Sequence, residues 1–140
     1  MTEKEYTERR KAIFDNWKSI RQRDIDLDNL TRQAHEELKV GDGVTLRLYS
    51  DAEAYTVVKR TACSITVQRD KAMLDPNFKP VWDVGGFAGH CTNQEEQKYS
   101  YERNENGEKI TLRFSRKYGR FMYLEKSIQI GRHEFYDYNF

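Results

Sequence analysis

The first 39 residues carry apolar positions at helical spacing. These positions recur every three or four residues, which places their side chains on one face of a helix. They are Ile13, Phe14, Trp17 and Ile20 in a first stripe and Leu27, Leu30, Ala34 and Leu38 in a second. Thr2 and Glu5 have the spacing of a capping box, which predicts a helix start.

The sequence therefore predicts a charged arm of two helices over residues 1–39. Their break is expected in the acidic segment 23–28, and Gly41 is suited to a left-handed stop after the second helix.

From Val40 onwards the apolar period changes from helical spacing to alternation. Residues 44–49, 55–58 and 65–67 are rich in β-branched and aromatic side chains, which is typical of strands. The connections between them are only a few residues long, so neighbouring strands must run antiparallel as a meander. A meander entered through Val40-Gly41-Asp42-Gly43-Val44 is typical of a small SH3-like barrel. The predicted fold class is α+β, mostly antiparallel β, with residues 40–140 as the β domain.

Residues 70–96 show no periodicity and contain both prolines, so we expect a long loop there. Strand character returns at residues 99–101, and the Asn-Gly pair at residues 106–107 predicts a β-hairpin with its second arm at 110–114. A further turn at 117–120 and a last strand near 128–130 complete the C-terminal hairpins. The tail 133–140 holds four aromatic residues, which predicts that it docks on the body.

Composition limits the functional classes. The chain is 37% hydrophobic and 13% aromatic, so aromatic rings are expected to supply much of the core, with Trp17 and Trp82 as anchors. The 24 basic and 23 acidic residues nearly cancel, which argues against a general attraction to anions. Only residues 98–140 are basic, with nine cationic and six acidic side chains.

The cysteine count and the apolar runs predict a compartment. Two cysteines cannot build a disulfide framework, and charges occupy the N-terminus where a secretory signal needs an apolar run. No apolar stretch approaches the roughly 20 residues that span a bilayer. We therefore expect a cytoplasmic protein without a membrane partner.

The first candidate site is the basic turn, defined as Arg113, Arg116, Lys117 and Arg120. Aromatic residues alternate with these cations, among them Tyr118 and Tyr123. Cations that neutralise phosphates and rings that stack on bases are the means by which proteins hold single-stranded nucleic acid. An alternating strand with rings inward and cations in solvent gives the same pattern without a ligand. An acidic protein surface would satisfy the same cations.

The second candidate site is a glycine-rich loop, residues 85–94. Its members of interest are Gly85, Gly86, Gly89, His90 and Asn93. Glycines permit close backbone approach to a ligand, and successive amides can form an anion-binding nest. The run fits no dinucleotide or triphosphate motif, so a tight structural loop is the competing interpretation.

A third candidate is cysteine chemistry at Cys91 with His90 or His133 as its base. Adjacent residues of an extended chain point in opposite directions, so His90 is poorly placed to activate Cys91. A lone cysteine is usually a small buried hydrophobic residue. Metal-binding spacings are absent, and the sequence predicts neither a metal nor a cofactor.

Several segments of the β domain resemble small uncharacterised proteins encoded by bacteriophages and mobile elements of Gram-positive bacteria. The segments are 40–44, 54–57, 75–80, 85–94 and 131–140, so the resemblance covers about residues 40–140. It implies a bacterial host cytoplasm as the location. It carries over no catalytic or binding residue, because that group has no established activity.

Three functions follow as expectations. The first is a non-enzymatic phage or mobile-element accessory protein that antagonises a host defence or nucleic-acid-handling protein. The second is a binding module for nucleic acid or a nucleotide, and the third is an enzyme centred on Cys91. The partner is expected to be a host protein or a nucleic acid or nucleotide. The oligomeric state stays open, with a homodimer through the helical arm as one alternative.

Overall fold

The structure, a computed structural model, describes residues 1–85 and 88–139. It contains two helices, a 3₁₀ turn and ten strands. The helices are α1 (Glu3–Asn16) and α2 (Ile20–Glu36), the 3₁₀ turn is Gln94–Glu96, and the strands are β1 (Gly43–Arg47), β2 (Ala52–Arg60), β3 (Ser64–Arg69), β4 (Lys71–Leu74), β5 (Trp82–Asp83), β6 (His90–Cys91), β7 (Tyr99–Glu102), β8 (Lys109–Ser115), β9 (Arg120–Tyr123) and β10 (Lys126–Ile130).

The helical pair is confirmed, but its break lies at residues 17–19. The Thr2 hydroxyl accepts a hydrogen bond from the amide of Glu5, and Ser19 caps α2 in the same way through the amide of Gln22. The predicted break at 23–28 is wrong because the acids there have partners within or beside α2. Asp26, for example, accepts from the side chain of Gln22 one turn earlier.

Gly41 has the expected positive φ of 98°, but it lies in the turn after α2. The C-cap of α2 is Glu37, whose amide donates to the carbonyls of Gln33 and His35. The predicted left-handed residue is therefore correct in conformation and displaced from the helix end.

Six strands close into a barrel in the order β1-β2-β3-β8-β9-β10, and every neighbouring pair is antiparallel. Alternate residues of these strands fill its interior. Among its largest fully buried side chains are those of Val44, Val57, Ile65, Leu112 and Phe121. The predicted meander corresponds to β1, β2 and β3, and the α+β class with a small antiparallel barrel is confirmed.

The Asn-Gly turn forms, but it does not make the predicted hairpin. The amide of Gly107 donates to the carbonyl of Asn104, as a turn requires. However, β7 pairs with β4, and β8 pairs with β3. Strands β8 and β7 thus pair with successive parts of one chain segment, residues 64–74. Residues 103–108 loop out between β7 and β8 and interrupt what would otherwise be one long strand. Gln68 fixes this excursion, because its side-chain amide donates to the carbonyls of Glu105 and Gly107.

A smaller lobe occupies much of the segment predicted as a long loop. Strands β4, β5 and β6 fall within residues 70–96, and they pair as β4 with β7 and β5 with β6. The tail docks on both parts of the molecule, as predicted. Phe135 forms a backbone bridge with Ala52, and the Asn139 side chain exchanges hydrogen bonds with the backbone of Cys91.

The helical arm shares the core of the barrel. Ala34 of α2 and Leu38, just after its end, belong to the buried cluster, while α1 buries no residue completely. The expectation that Trp17 and Trp82 anchor the core is wrong, since their exposed fractions are 46% and 48%. No helix in the described part of the chain has the length and apolarity needed to cross a membrane.

Candidate nucleic-acid interface

The basic turn connects β8 to β9 at one end of the barrel. Gly119 closes it with φ of 65°, a conformation that favours glycine. A Cβ at Gly119 would lie 2.5 Å from the guanidinium carbon of Arg32, so α2 packs directly against the turn. Arg32 also donates to the carbonyl of Arg116 at 3.4 Å. The helix therefore supports the turn and adds a cation beside it.

The structure separates the members of the predicted set. Arg113, Arg116 and Lys117 are exposed, and the Lys117 ammonium lies 5.2 Å from the ring centre of the half-exposed Tyr118. Arg120 instead forms an ion pair with Asp28 of α2 at 3.3 Å. Tyr123 lies at the far end of β9, where it pairs with Lys126. The turn thus brings together three available cations and one ring.

Two segments without acidic residues become neighbours in the barrel. Residues 57–69 and 109–124 contain no aspartate or glutamate, and they supply β3 and β8, which pair with each other. Within them, Lys59 and Lys109 are exposed. Lys59 lies opposite Thr66 on β3, and Thr66 lies opposite Thr111 on β8. A continuous outer surface of the barrel therefore carries positive charge.

We define the basic face as Lys59, Lys109, Arg113, Arg116 and Lys117. Among residues 1–85 and 88–139, none of these five side chains has a carboxylate within ion-pair distance. Other cations of the same segments are occupied: Arg60 donates to the carbonyl of Glu36, and Arg69 pairs with Glu134. The five charges of the basic face are free to meet an anion.

The strand geometry spaces these groups along one direction. Lys109, Thr111 and Arg113 alternate outward on β8, about 6.7 Å apart. The hydroxyls of Thr66 and Thr111 are 3.1 Å apart, and they place neutral hydrogen-bonding groups between the cations. Ile65 and Leu112 on the same strands point into the core. The alternation therefore gives a polar, cationic exterior on a rigid apolar interior.

Sequence reasoning found the basic turn and missed Lys59 and Lys109. Their position on one surface depends on the register of β2, β3 and β8, which no local pattern specifies. A usable signal was present in the two long segments without acid, 57–69 and 109–124, in a chain that holds 23 acidic residues.

The glycine-rich loop has a structural role in its described part. The Asn93 side chain accepts from the amide of Val81 and donates to the carbonyl of Lys79, which ties residues 79–81 to β6. The amide of Gly85 donates to Asp83, and Gly89 and His90 are exposed. Gly86 lies outside the described residues. The bonds of Asn93 leave it little capacity for a ligand.

The three cysteine-chemistry residues lie in different surroundings. Cys91 is 1% exposed, and its thiol lies 3.4 Å from the side-chain oxygen of Asn93. His90 is exposed on the same short strand, while His133 lies 3.3 Å from Glu3 of α1. Across residues 1–85 and 88–139, no three histidine, cysteine or acidic side chains cluster as metal ligands would.

His35 anchors α2 to the barrel beside the basic turn. It is 1% exposed, and its Nδ1 accepts a 3.0 Å hydrogen bond from the amide of Phe121. Burial, together with the positive charge of Arg120, lowers the pKa of His35 from 6.5 to about 4. The imidazole is therefore neutral in the folded protein at physiological pH.

Acid is expected to destabilise the protein through His35. The unfolded chain gains a proton there near pH 6.5, but the folded chain does so only near pH 4. The contribution of neutral His35 to the free energy of unfolding is complete above pH 6.5. It is lost as the pH falls towards 4, by about 3 kcal/mol in all and roughly 2 kcal/mol at pH 5. Urea denaturation at about pH 7.5 and pH 5 measures the loss.

The matched variant is His35→Asn, whose side-chain oxygen can still accept from the amide of Phe121. It should be less stable at neutral pH but lose roughly 2 kcal/mol less than the wild type on acidification. Equal losses in the two proteins would show that other groups set the acid sensitivity.

Comparison with models of protein families, with curated proteins and with solved structures finds no match for this chain. The resemblance to phage and mobile-element proteins therefore stays a prediction. Function has to be argued from the surface itself.

Proposed function

We propose that this chain is a non-enzymatic binding protein that holds single-stranded nucleic acid across the basic face. The observation that supports this most directly is the pairing of two acid-free strands, β3 and β8, with five cations that no described carboxylate neutralises. A polyanion gains affinity by releasing counterions when such cations meet its phosphates. Because the net charge is only +1, this attraction comes from the local charge of the face and not from the molecule as a whole.

Single strands fit the face better than duplex. The half-exposed ring of Tyr118 lies at the basic turn, next to the Lys117 ammonium, where an unstacked base can reach it. The rest of the face is a row of hydroxyl and cationic side chains on the outside of the barrel. Stacking and phosphate contacts of this kind tolerate many sequences.

Burial of Cys91 supports binding over a cysteine-dependent reaction. A nucleophile has to reach its substrate, and this thiol is 1% exposed and directed at Asn93. The more specific function, antagonism of a host defence or nucleic-acid-handling protein, is compatible with competition for a nucleic-acid strand. That part of the proposal rests on the resemblance.

Fluorescence anisotropy with a labelled single strand of about 20 nucleotides tests the proposal. Between about 50 and 200 mM salt, five phosphate contacts predict a slope of log K against log salt near −3.5. The triple variant Arg113→Gln, Arg116→Gln, Lys117→Gln should bind more weakly, and the magnitude of its slope should fall by about 2.

A matched control removes three exposed cations from the other lobe, as Lys71→Gln, Lys79→Gln and Lys98→Gln. It changes the net charge equally and should keep the wild-type affinity and slope. Equal weakening in both triple variants would contradict a defined face. Absence of binding to the single strand would contradict the proposal. Tighter binding to a duplex or to an acidic protein would make that molecule the ligand instead.

A further inference from the structure

A groove runs between the helical pair and the barrel, and among the described residues that line it there is none of the five of the basic face. Its two connected parts have volumes of about 380 Å³ and 650 Å³. They share Tyr6 and Arg10 from α1, Arg47 at the end of β1, and Gln129 and Ile130 of β10. Sites of roughly 300–1,000 Å³ accommodate small organic ligands.

The lining of this groove is cationic. Its cations are Arg10, Lys11, Arg47 and Arg120, and the described residues that line it include no aspartate or glutamate. Three acids lie close to lining residues: Asp15 to Lys11, Asp28 to Arg120 and Glu3 to His133. A negatively charged ligand would therefore meet no carboxylate on the groove wall.

Two guanidinium groups in the groove are available. In the described part of the chain, the Arg47 side chain makes no hydrogen bond or ion pair, and the Arg10 guanidinium lies over the ring of Phe14, at 4.9 Å, without an ion pair. Both side chains are exposed. A guanidinium is suited to phosphate because its planar donors match two phosphate oxygens at once. Arg10 from α1 and Arg47 from β1 both line this groove.

The remaining walls offer groups that recognise a base. Tyr6 and Phe14 are aromatic, and among residues 1–85 and 88–139 the Tyr6 hydroxyl, the Thr31 hydroxyl and the Gln129 amide have no hydrogen-bond partner. Stacking and amide hydrogen bonds are the usual means of holding a nucleobase. We infer that this groove binds a nucleoside diphosphate, with its phosphates at Arg10 and Arg47 and its base towards Tyr6 and Gln129.

Isothermal titration calorimetry with ADP, GDP, CDP and UDP tests this site. At least one should bind saturably with one site per chain. Arg10→Gln and Arg47→Gln should each weaken binding about tenfold or more, because each loses a charge-assisted hydrogen bond to phosphate. Arg47→Lys, which keeps the charge and loses the planar fork, should fall between the wild type and Arg47→Gln.

Adenosine and inorganic pyrophosphate separate the two parts of the ligand. Adenosine should not bind, and pyrophosphate should bind more weakly than the best diphosphate. Absence of binding by all four nucleotides would overturn the inference, as would unchanged affinity in Arg47→Gln or equal affinity for pyrophosphate. Each variant is compared with the wild type by thermal melting, and Arg47→Gln should leave the melting temperature unchanged because the Arg47 side chain makes no hydrogen bond or ion pair in the described chain.

This site and the basic face can be told apart in the same proteins. Lys109→Gln removes one cation from the basic face and should leave nucleoside diphosphate affinity within about twofold of the wild type. Conversely, Arg47→Gln should leave oligonucleotide affinity unchanged. Parallel loss of both ligands in either variant would mean one shared site and would overturn a separate nucleotide groove.

Discussion

Replacing Phe121 with alanine is expected to lower the free energy of unfolding by about 3–5 kcal/mol. The ring is 0% exposed and lies among three side chains. Its centroid is 5.2 Å from the ring of Phe114 and 6.1 Å from that of His35, while the Arg60 guanidinium lies 4.7 Å above it. The strands, the helix and the stacked cation surround the ring. They cannot collapse easily into the cavity that alanine would leave.

Urea denaturation of Phe121→Ala beside Tyr123→Ala measures this effect. Tyr123 lies two residues further along the same strand, with an exposed fraction of 42%, so its truncation should cost well under half as much. Similar losses for the two variants would contradict the view that burial at the helix–barrel junction holds the fold together. A loss below about 1 kcal/mol for Phe121→Ala would do the same.

Most of the elements could be predicted because local signals and tertiary packing agree on them. Thr2 caps α1 as its spacing predicts, and the alternating segments after residue 43 form β1, β2 and β3. The aromatic tail docks because its rings find neighbours: the ring of Tyr138 lies 4.9 Å from Tyr136 and 5.9 Å from Phe78.

The wrong predictions have physical causes in distant contacts. Asn104 and Gly107 form the turn that their identities favour, but β4 and β3 pair with the flanking segments and prevent the hairpin. Likewise, Asp28 suggests a helix break locally, but within α2 it faces Arg120 of the barrel. A turn or a break read from sequence is a local preference that tertiary pairing can redirect.

The candidate sites divide in the same way. The basic turn could be predicted because Arg113, Arg116 and Lys117 are close in sequence. The groove lined by Arg10 and Arg47 could not, because these two residues line one groove only when α1 lies beside the barrel. Nothing in the local pattern around either arginine indicates the other.

Replacing Arg132 with methionine is expected to destabilise the protein by about 3 kcal/mol. The side chain of Asp70 is 1% exposed, and Arg132 donates to it at 2.8 Å from Nε. Thr56 joins the two, since its hydroxyl donates to Asp70 at 2.6 Å and accepts from Arg132 at 2.8 Å. Without Arg132 the buried carboxylate keeps only the threonine, and an uncompensated buried charge is costly.

A double-mutant cycle tests whether the unpaired charge of Asp70 causes the loss of stability in Arg132→Met. Asp70→Asn removes the charge, so the pair Asp70→Asn with Arg132→Met should lose less stability than the two single losses added together, by at least 1 kcal/mol. Arg113→Met, on the exposed side of β8, is the control and should stay within about 0.5 kcal/mol of the wild type. Additive losses in the cycle would mean that Arg132 acts by packing alone. The ion pair between Arg132 and Asp70 would then contribute no coupling energy.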